Sequence, residues 1–273
     1  MKSRILTALL LFPPVIYLIG WAPAWLFLIA VLVVVALGLH EYFGICHHAG
    51  FKPLVVVGYV GAAAVCIAPA VEIPFRVNPA LTVLALLILL TLGLGLLSAR
   101  DLTDYLGAVS TTVLGFVYIG FGLSCLIPLR HLDGGEGRKL LFFLFLVIWA
   151  GDICAFFVGR TLGRHLLFPR VSPKKTVEGG LGGLAGSLLV AWGFGRWWFW
   201  QTVNLKTAIL LAALIAVAGQ VGDFVESAMK RGAGLKDSGA ILPGHGGLLD
   251  RIDSLLFGAP ALWLAITLRD FWR

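Results

Sequence analysis

The sequence predicts an all-α, polytopic integral membrane protein of about nine transmembrane helices, with a polar cavity near the cytoplasmic side. Three observations carry that expectation. Of 273 residues, 59% are hydrophobic and only 13% charged, whereas a soluble domain carries about 25% charged residues. Mean hydropathy is +0.96. Apolar runs recur along the whole chain, each near the roughly 20 residues that a helix needs to cross a bilayer.

In chain order the candidate spans lie near 5–20, 24–40, 54–71, 80–98, 106–128, 140–158, 179–199, 207–229 and 253–269. Backbone groups in lipid must be satisfied internally, which favours helices. The runs also lack the alternation of a transmembrane barrel. The first span is short and contains Pro13-Pro14. With Lys2, Arg4 and Ala22-Pro23-Ala24 it also resembles a cleaved signal. An uncleaved first span fits better, because further spans follow to the C-terminus.

The four cysteines, Cys46, Cys66, Cys125 and Cys154, are scattered and suggest neither a zinc site nor a disulfide framework. Cys46-His47-His48 are adjacent on one helix and do not converge, so an interfacial helix end is the better reading. The net charge of +7 fits basic cytoplasmic loops and anionic partners such as lipid headgroups, phosphates or nucleotides. Nucleic acid is not expected, because the chain shows no exposed domain or basic tail.

With the N-terminus inside, thirteen of the 21 Lys and Arg residues fall on the cytoplasmic side, the bias expected of that orientation. By polarity the chain divides into N-terminal membrane helices, 1–140, and a C-terminal region, 141–273, which carries two polar segments at 159–178 and 230–253. Two crossings separate these segments, so both are expected on one side. The run "EGGLGGLAGS" spaces Gly179 and Gly183, and Gly182 and Gly186, four apart, a pattern that lets helices approach closely. No GK[ST] follows, so it is not a P-loop.

Charge concentrates in "SAMKRGAGLKDSGAILPGHGGLLDRIDS", residues 227–254. Just upstream, Asp223, Glu226, Ser227 and Lys230 lie at i, i+3, i+4 and i+7 and form one polar stripe on an otherwise apolar helix. Ionised groups inside a membrane face protein-lined cavities, not lipid. An interfacial position suffices for Lys230 and Arg231, whose long stems snorkel, but serves Asp223 less well. Asp250 and Asp253, at i and i+3, share a face of the last helix. A helix-start acid favoured by the macrodipole explains one such carboxylate, but not several beside Lys and Arg. Together with Asp223 they suit a hard divalent cation, and Mg²⁺ is commonly held by one or two carboxylates plus substrate phosphates. Asp152 lies inside another apolar span. Ser172, Lys174, Lys175, Thr176 and Glu178 precede a Gly-rich helix start. Hydroxyls, ammonium groups and free N–H groups there suit phosphate oxygens, although a capped cytoplasmic loop explains that segment taken alone. The combination points to phosphoryl or nucleotidyl transfer at a lipid surface.

The segment also resembles the signature of the CTP:phosphatidate cytidylyltransferases, or CDP-diacylglycerol synthases. The matching elements are Ser227, Lys230-Arg231, Lys236-Asp237, Gly239, Leu242-Pro243, His245-Gly246-Gly247, Asp250-Arg251 and Asp253, in order and without departure. "SPKKTVEG" and "GDICAFFVGRTLG" resemble the family as well. The N-terminal half resembles it only in hydrophobicity. The resemblance implies transfer of the cytidylyl group of CTP to phosphatidate with Mg²⁺. The number of ions is left open. It also implies a polytopic homodimer in a bacterial-type inner membrane, with its site facing the cytoplasm. It makes Asp223 and Asp250 the first candidates for metal binding, with Asp253 and Asp237 behind them. Lys174, Lys175, Lys230, Arg231 and Lys236 would hold phosphates, with Ser227, Gly246, Gly247 and Arg251 as further signature positions. His245 either contacts phosphate or shapes the turn. The runner-up is another CTP-using lipid enzyme of the polyprenol kinase type, against which the full signature argues. A CDP-alcohol phosphotransferase needs a DGxxAR start that is absent. A transporter would be expected to show inverted repeats, and none is found.

Overall fold

A computed structural model describes residues 12–70, 79–98, 101–132, 135–197, 204–241 and 246–271. After a helical stretch at 12–20, the elements are α1 (Ala24–His48), α2 (Val55–Ile67), α3 (Pro79–Ser98), α4 (Leu102–Gly115), α5 (Glu136–Leu162), α6 (Val177–Trp197), α7 (Leu205–Gly232) and α8 (Leu249–Phe271). Beyond α4 the helical path continues through a wider-wound turn at Phe116–Phe121 to Arg130. Seven helices of the described residues are long and apolar enough to cross a membrane, and Val55–Ala70 is a shorter apolar one. The chain is therefore an all-α polytopic membrane protein, and seven rather than nine spans meet that criterion. The start of the first expected span lies outside the described residues.

Helix starts follow local chemistry. The Asp101 side chain accepts the Thr103 N–H at 3.0 Å, Thr176 accepts Gly179 N–H at 3.1 Å, and Asn204 accepts Thr207 N–H at 2.9 Å. Each relieves one of the unsatisfied donors of a first turn. Inside the apolar helices, hydroxyls turn back onto carbonyls of the preceding turn, as with Thr91 to Leu87 O (2.6 Å) and Ser110 to Leu106 O (2.6 Å). Each such bond satisfies the hydroxyl within its own helix. The segment expected as a polar loop contains a small antiparallel hairpin, β1 (Leu166–Phe168) and β2 (Ser172–Thr176), pairing Leu166 with Thr176 and Phe168 with Ser172.

By contacts the chain forms two compact units. The first comprises residues up to His131 together with Met229–Ile252; the second comprises Leu132–Ala228 and Asp253–Arg273. In the first, buried Leu39, Tyr42 and Phe43 of α1 share the core with Phe116 and Ile119, and the Tyr42 hydroxyl donates to Thr111 O at 3.0 Å. In the second, α5 and α6 lie against each other through their small residues. A Cβ at Gly179 would stand 3.0 Å from Ala155 O, one at Gly183 3.0 Å from Gly151 O, and one at Gly186 3.0 Å from Ala150 O. The small-residue face read from the sequence is thus a real close approach. Many large apolar side chains point outward, among them Leu97 (84% exposed) and Val56 (74%), as lipid-facing helices require.

Candidate active site

Each unit gathers a distinct set of the polar residues singled out above. In the first, the last turn of α7 brings Lys230 onto Asp250 in the first turn of α8, and the two form an ion pair. Their side chains are only 9% and 8% exposed. The Asp250 carboxylate is held on its other oxygen as well. Oδ2 accepts Gly247 N–H at 2.9 Å, Ser238 N–H at 3.0 Å and the Ser238 hydroxyl at 3.0 Å. Three donors and a cation thus meet on one carboxylate. Gly246 makes this turn possible. Its φ is +78°, and a Cβ there would stand 2.9 Å from Asp250 Oδ2. Asp237 lies beside the same glycine, 3.7 Å from that position. Arg231, Lys236 and Arg251 are exposed, and the Arg231 guanidinium donates to Leu235 O at 2.7 Å. His245, with Leu242, Pro243 and Gly244, lies outside the described residues.

In the second unit, Lys175 of β2 pairs with Asp223 of α7, their side chains 34% and 29% exposed. The Lys175 ammonium also lies over the Phe224 ring, 4.5 Å from its centroid, a cation–π arrangement. Phe168 of β1 packs on the same ring at 5.4 Å. The hairpin thereby fixes where Lys175 points. Ser227 donates to Asp223 at 3.4 Å. Asp253 lies within electrostatic reach of Asp223, Glu226 and Asp152, so α5, α7 and α8 each contribute acid to one neighbourhood. A cavity of about 30 Å³ lies among the same helices, lined by Asp152, Ser187, Gln220 and Ser254 with apolar neighbours. It is large enough for water.

Two candidates in 159–178 make contacts within the fold. Thr176 caps α6. Glu178 accepts the N–H groups of Arg164 (3.0 Å) and His165 (3.2 Å) and the His165 ring at 2.5 Å. Its carboxylate ties the end of α5 to the start of α6, a structural duty. Ser172 and Lys174 stand on β2, with Lys174 exposed.

Two residues that the sequence reading did not nominate are central to the first group. Ser238 bridges Asp250 and Glu41, and Glu41 of α1 is 3% exposed. A signal was available: Glu41 is an acid within the apolar stretch "VLVVVALGLHEYFGI", where an ionisable residue deserves a functional reading. Among the described residues, no three His, Cys, Asp or Glu side chains converge tightly enough to hold a metal by themselves.

Comparison with known proteins agrees with this chemistry. The chain is 35% identical to a phosphatidate cytidylyltransferase of Synechocystis over 273 residues, 89% of each chain. It is 42% identical to the enzyme of that name from Bacillus subtilis over 160 residues, 59% of each chain. It is also 42% identical to the one from Staphylococcus saprophyticus over 150 residues, 55% of this chain and 56% of that one. A model of the cytidylyltransferase family matches residues 2–269. With that match over nearly its whole length, the chain belongs to the cytidylyltransferase family.

Proposed function

We infer that this chain transfers the cytidylyl group of CTP to phosphatidate, giving CDP-diacylglycerol and pyrophosphate in a membrane. The observation that carries this reading is the pair of lysine–aspartate contacts, Lys230–Asp250 and Lys175–Asp223. They set acid and base, the groups that phosphate chemistry needs, at helix ends and on a hairpin of a membrane protein of this family.

The phosphatidate phosphate is already anionic, so its attack needs no strong general base. One of its oxygens forms a bond to the α-phosphorus of CTP, and the bond from that phosphorus to the bridging oxygen of pyrophosphate breaks. The leaving group carries the electron pair, and negative charge grows on it. Lys174 and Lys175 in one unit, and Lys230, Arg231 and Lys236 in the other, are proposed to bind phosphate oxygens, because fixed cations stabilise charge where it develops. Lys175 is suited to exchange: its carboxylate partner is partly exposed, so a phosphate can compete for the ammonium. Ser172, Ser227, Gly246, Gly247, Arg251 and Asp237 are proposed to line the substrates.

A divalent cation fits the donor set. Asp223 and Asp253 offer carboxylate oxygens amid further acid, which repel one another unless a cation is present. Lack of an all-protein cage is what Mg²⁺ sites show when substrate phosphates complete them. We propose Asp223 and Asp253 as its holders. Asp250, in the first unit, is proposed as a cation-binding residue in its own right, and its Oδ1 would then have to exchange Lys230 for the ion. When bound, Mg²⁺ would neutralise triphosphate charge and stabilise the leaving group. A homodimer in the inner membrane, with the reaction on the cytoplasmic face, is proposed from the family likeness and the bias of basic residues.

The test is product analysis. Purified protein in detergent is mixed with labelled CTP, phosphatidate and Mg²⁺. Label in the lipid fraction with release of pyrophosphate is the expected outcome, abolished by EDTA. Label that stays water-soluble would overturn the reading.

A further inference from the structure

We propose that Glu41 is a positioning residue for the reaction. It is a carboxylate lent by an N-terminal helix to hold the turn that carries Asp250. The inference rests on the cytidylyl-transfer reading of the signature segment. Glu41 lies two turns from the end of α1, in a helix whose other residues are apolar, aromatic or small apart from His40, His47 and His48. A carboxylate is unfavourable in such a place unless its oxygens are fully engaged. Here they are. Oε1 accepts Leu248 N–H at 2.9 Å, and Oε2 accepts Leu249 N–H at 2.7 Å and the Ser238 hydroxyl at 2.9 Å. Leu248 directly precedes α8 and Leu249 is its first residue, where N–H groups have no acceptor within the helix. Glu41 therefore caps α8 from more than 200 residues upstream, and its charge suits the positive end of that helix.

The contact continues past the cap. The Ser238 hydroxyl lies 2.9 Å from Glu41 and 3.0 Å from Asp250. It has one proton for two carboxylates, so it joins them in a single chain that ends on Lys230. The glycines of the signature are shaped to this arrangement. A Cβ at Gly239 would stand 2.6 Å from Glu41 Oε1, and one at Gly247 would run into both the Ser238 hydroxyl and the Glu41 carboxylate. Part of the glycine spacing in "SGAILPGHGG" is thus room for a side chain from a different helix. Glu41 touches no reacting atom in this account. It acts by fixing the orientation of Asp250, and through it of Lys230.

The experiment compares Glu41→Gln, Ser238→Ala and the double variant with the unaltered protein in detergent. Turnover is measured per folded molecule, and amide hydrogen exchange is followed at Leu248 and Leu249. The expected result for Glu41→Gln is faster exchange at both amides and a kcat at least tenfold lower, with KM for CTP changed less than threefold. Ser238→Ala leaves the two caps of α8 intact and should fold even where Glu41→Gln does not. Its kcat should fall severalfold, and the double variant should be no slower than the slower single one, since both act through one chain of contacts. Normal kcat per folded molecule in both single variants, or independent effects that multiply in the double variant, would overturn the proposal. Failure of the unaltered protein to turn over CTP would instead count against the reaction itself, while the exchange of Leu248 and Leu249 would still report on the cap.

Discussion

Lys230 and Asp250 meet where water hardly reaches, their side chains 9% and 8% exposed, whereas Lys175 and Asp223 meet at 34% and 29%. The first pair is embedded in backbone donors from Ser238 and Gly247. The second sits on an aromatic ring at the edge of a hairpin. Two pairs of the same chemistry thus have different physics. Two charges removed from water depend on each other, and losing one strands its partner. A partly exposed pair gains little, because water and salt screen it. The buried pair is therefore the costlier one to break. On the proposed function, the exposed pair is the more readily opened by a phosphate or a cation.

That difference can be broken or sharpened by substitution. The largest expected loss of stability is for Lys230→Met, which leaves the Asp250 charge buried without its partner. Thermal or denaturant unfolding in detergent should show a loss of about 3–5 kcal/mol. Adding Asp250→Asn to that variant should recover part of the loss, since no charge is then left stranded. Gly247→Ala comes next. Its Cβ runs into Ser238 and Glu41, and overpacking of this kind costs about 1–3 kcal/mol. Smallest is Lys175→Ala, expected below about 1 kcal/mol in stability, while raising KM for CTP in the kinetic assay. Equal destabilisation by the two lysine variants would erase the contrast.

Much of the fold was legible because membrane helices announce themselves by length and composition, and the glycine face of α6 by spacing. The acids Asp152, Asp223 and Asp253 were legible because ionisable groups in apolar runs stand out, and the structure places them in one neighbourhood. The polar stripe on α7 was read as one face, yet it divides: Ser227 turns to Asp223 and Lys230 to Asp250. Spacing along a helix cannot say which neighbour a long side chain will choose. The hairpin escaped notice because strands of three and five residues are too short to show alternation. Glu41 is not legible in the same way, because its partners lie some 200 positions away and because it stands just past the apolar run 24–40, in a helix that continues to His48.

Asp223, in its partly open pair, is proposed to supply charge to the reaction rather than to the fold. The direct measurement is cytidylyl transfer by Asp223→Asn, with Mg²⁺ titrated and folding checked by thermal unfolding in the same detergent. The variant is expected to unfold within about a few degrees of the original protein, yet to turn over at least a hundredfold more slowly even at saturating Mg²⁺. Full turnover by a folded Asp223→Asn protein would contradict it.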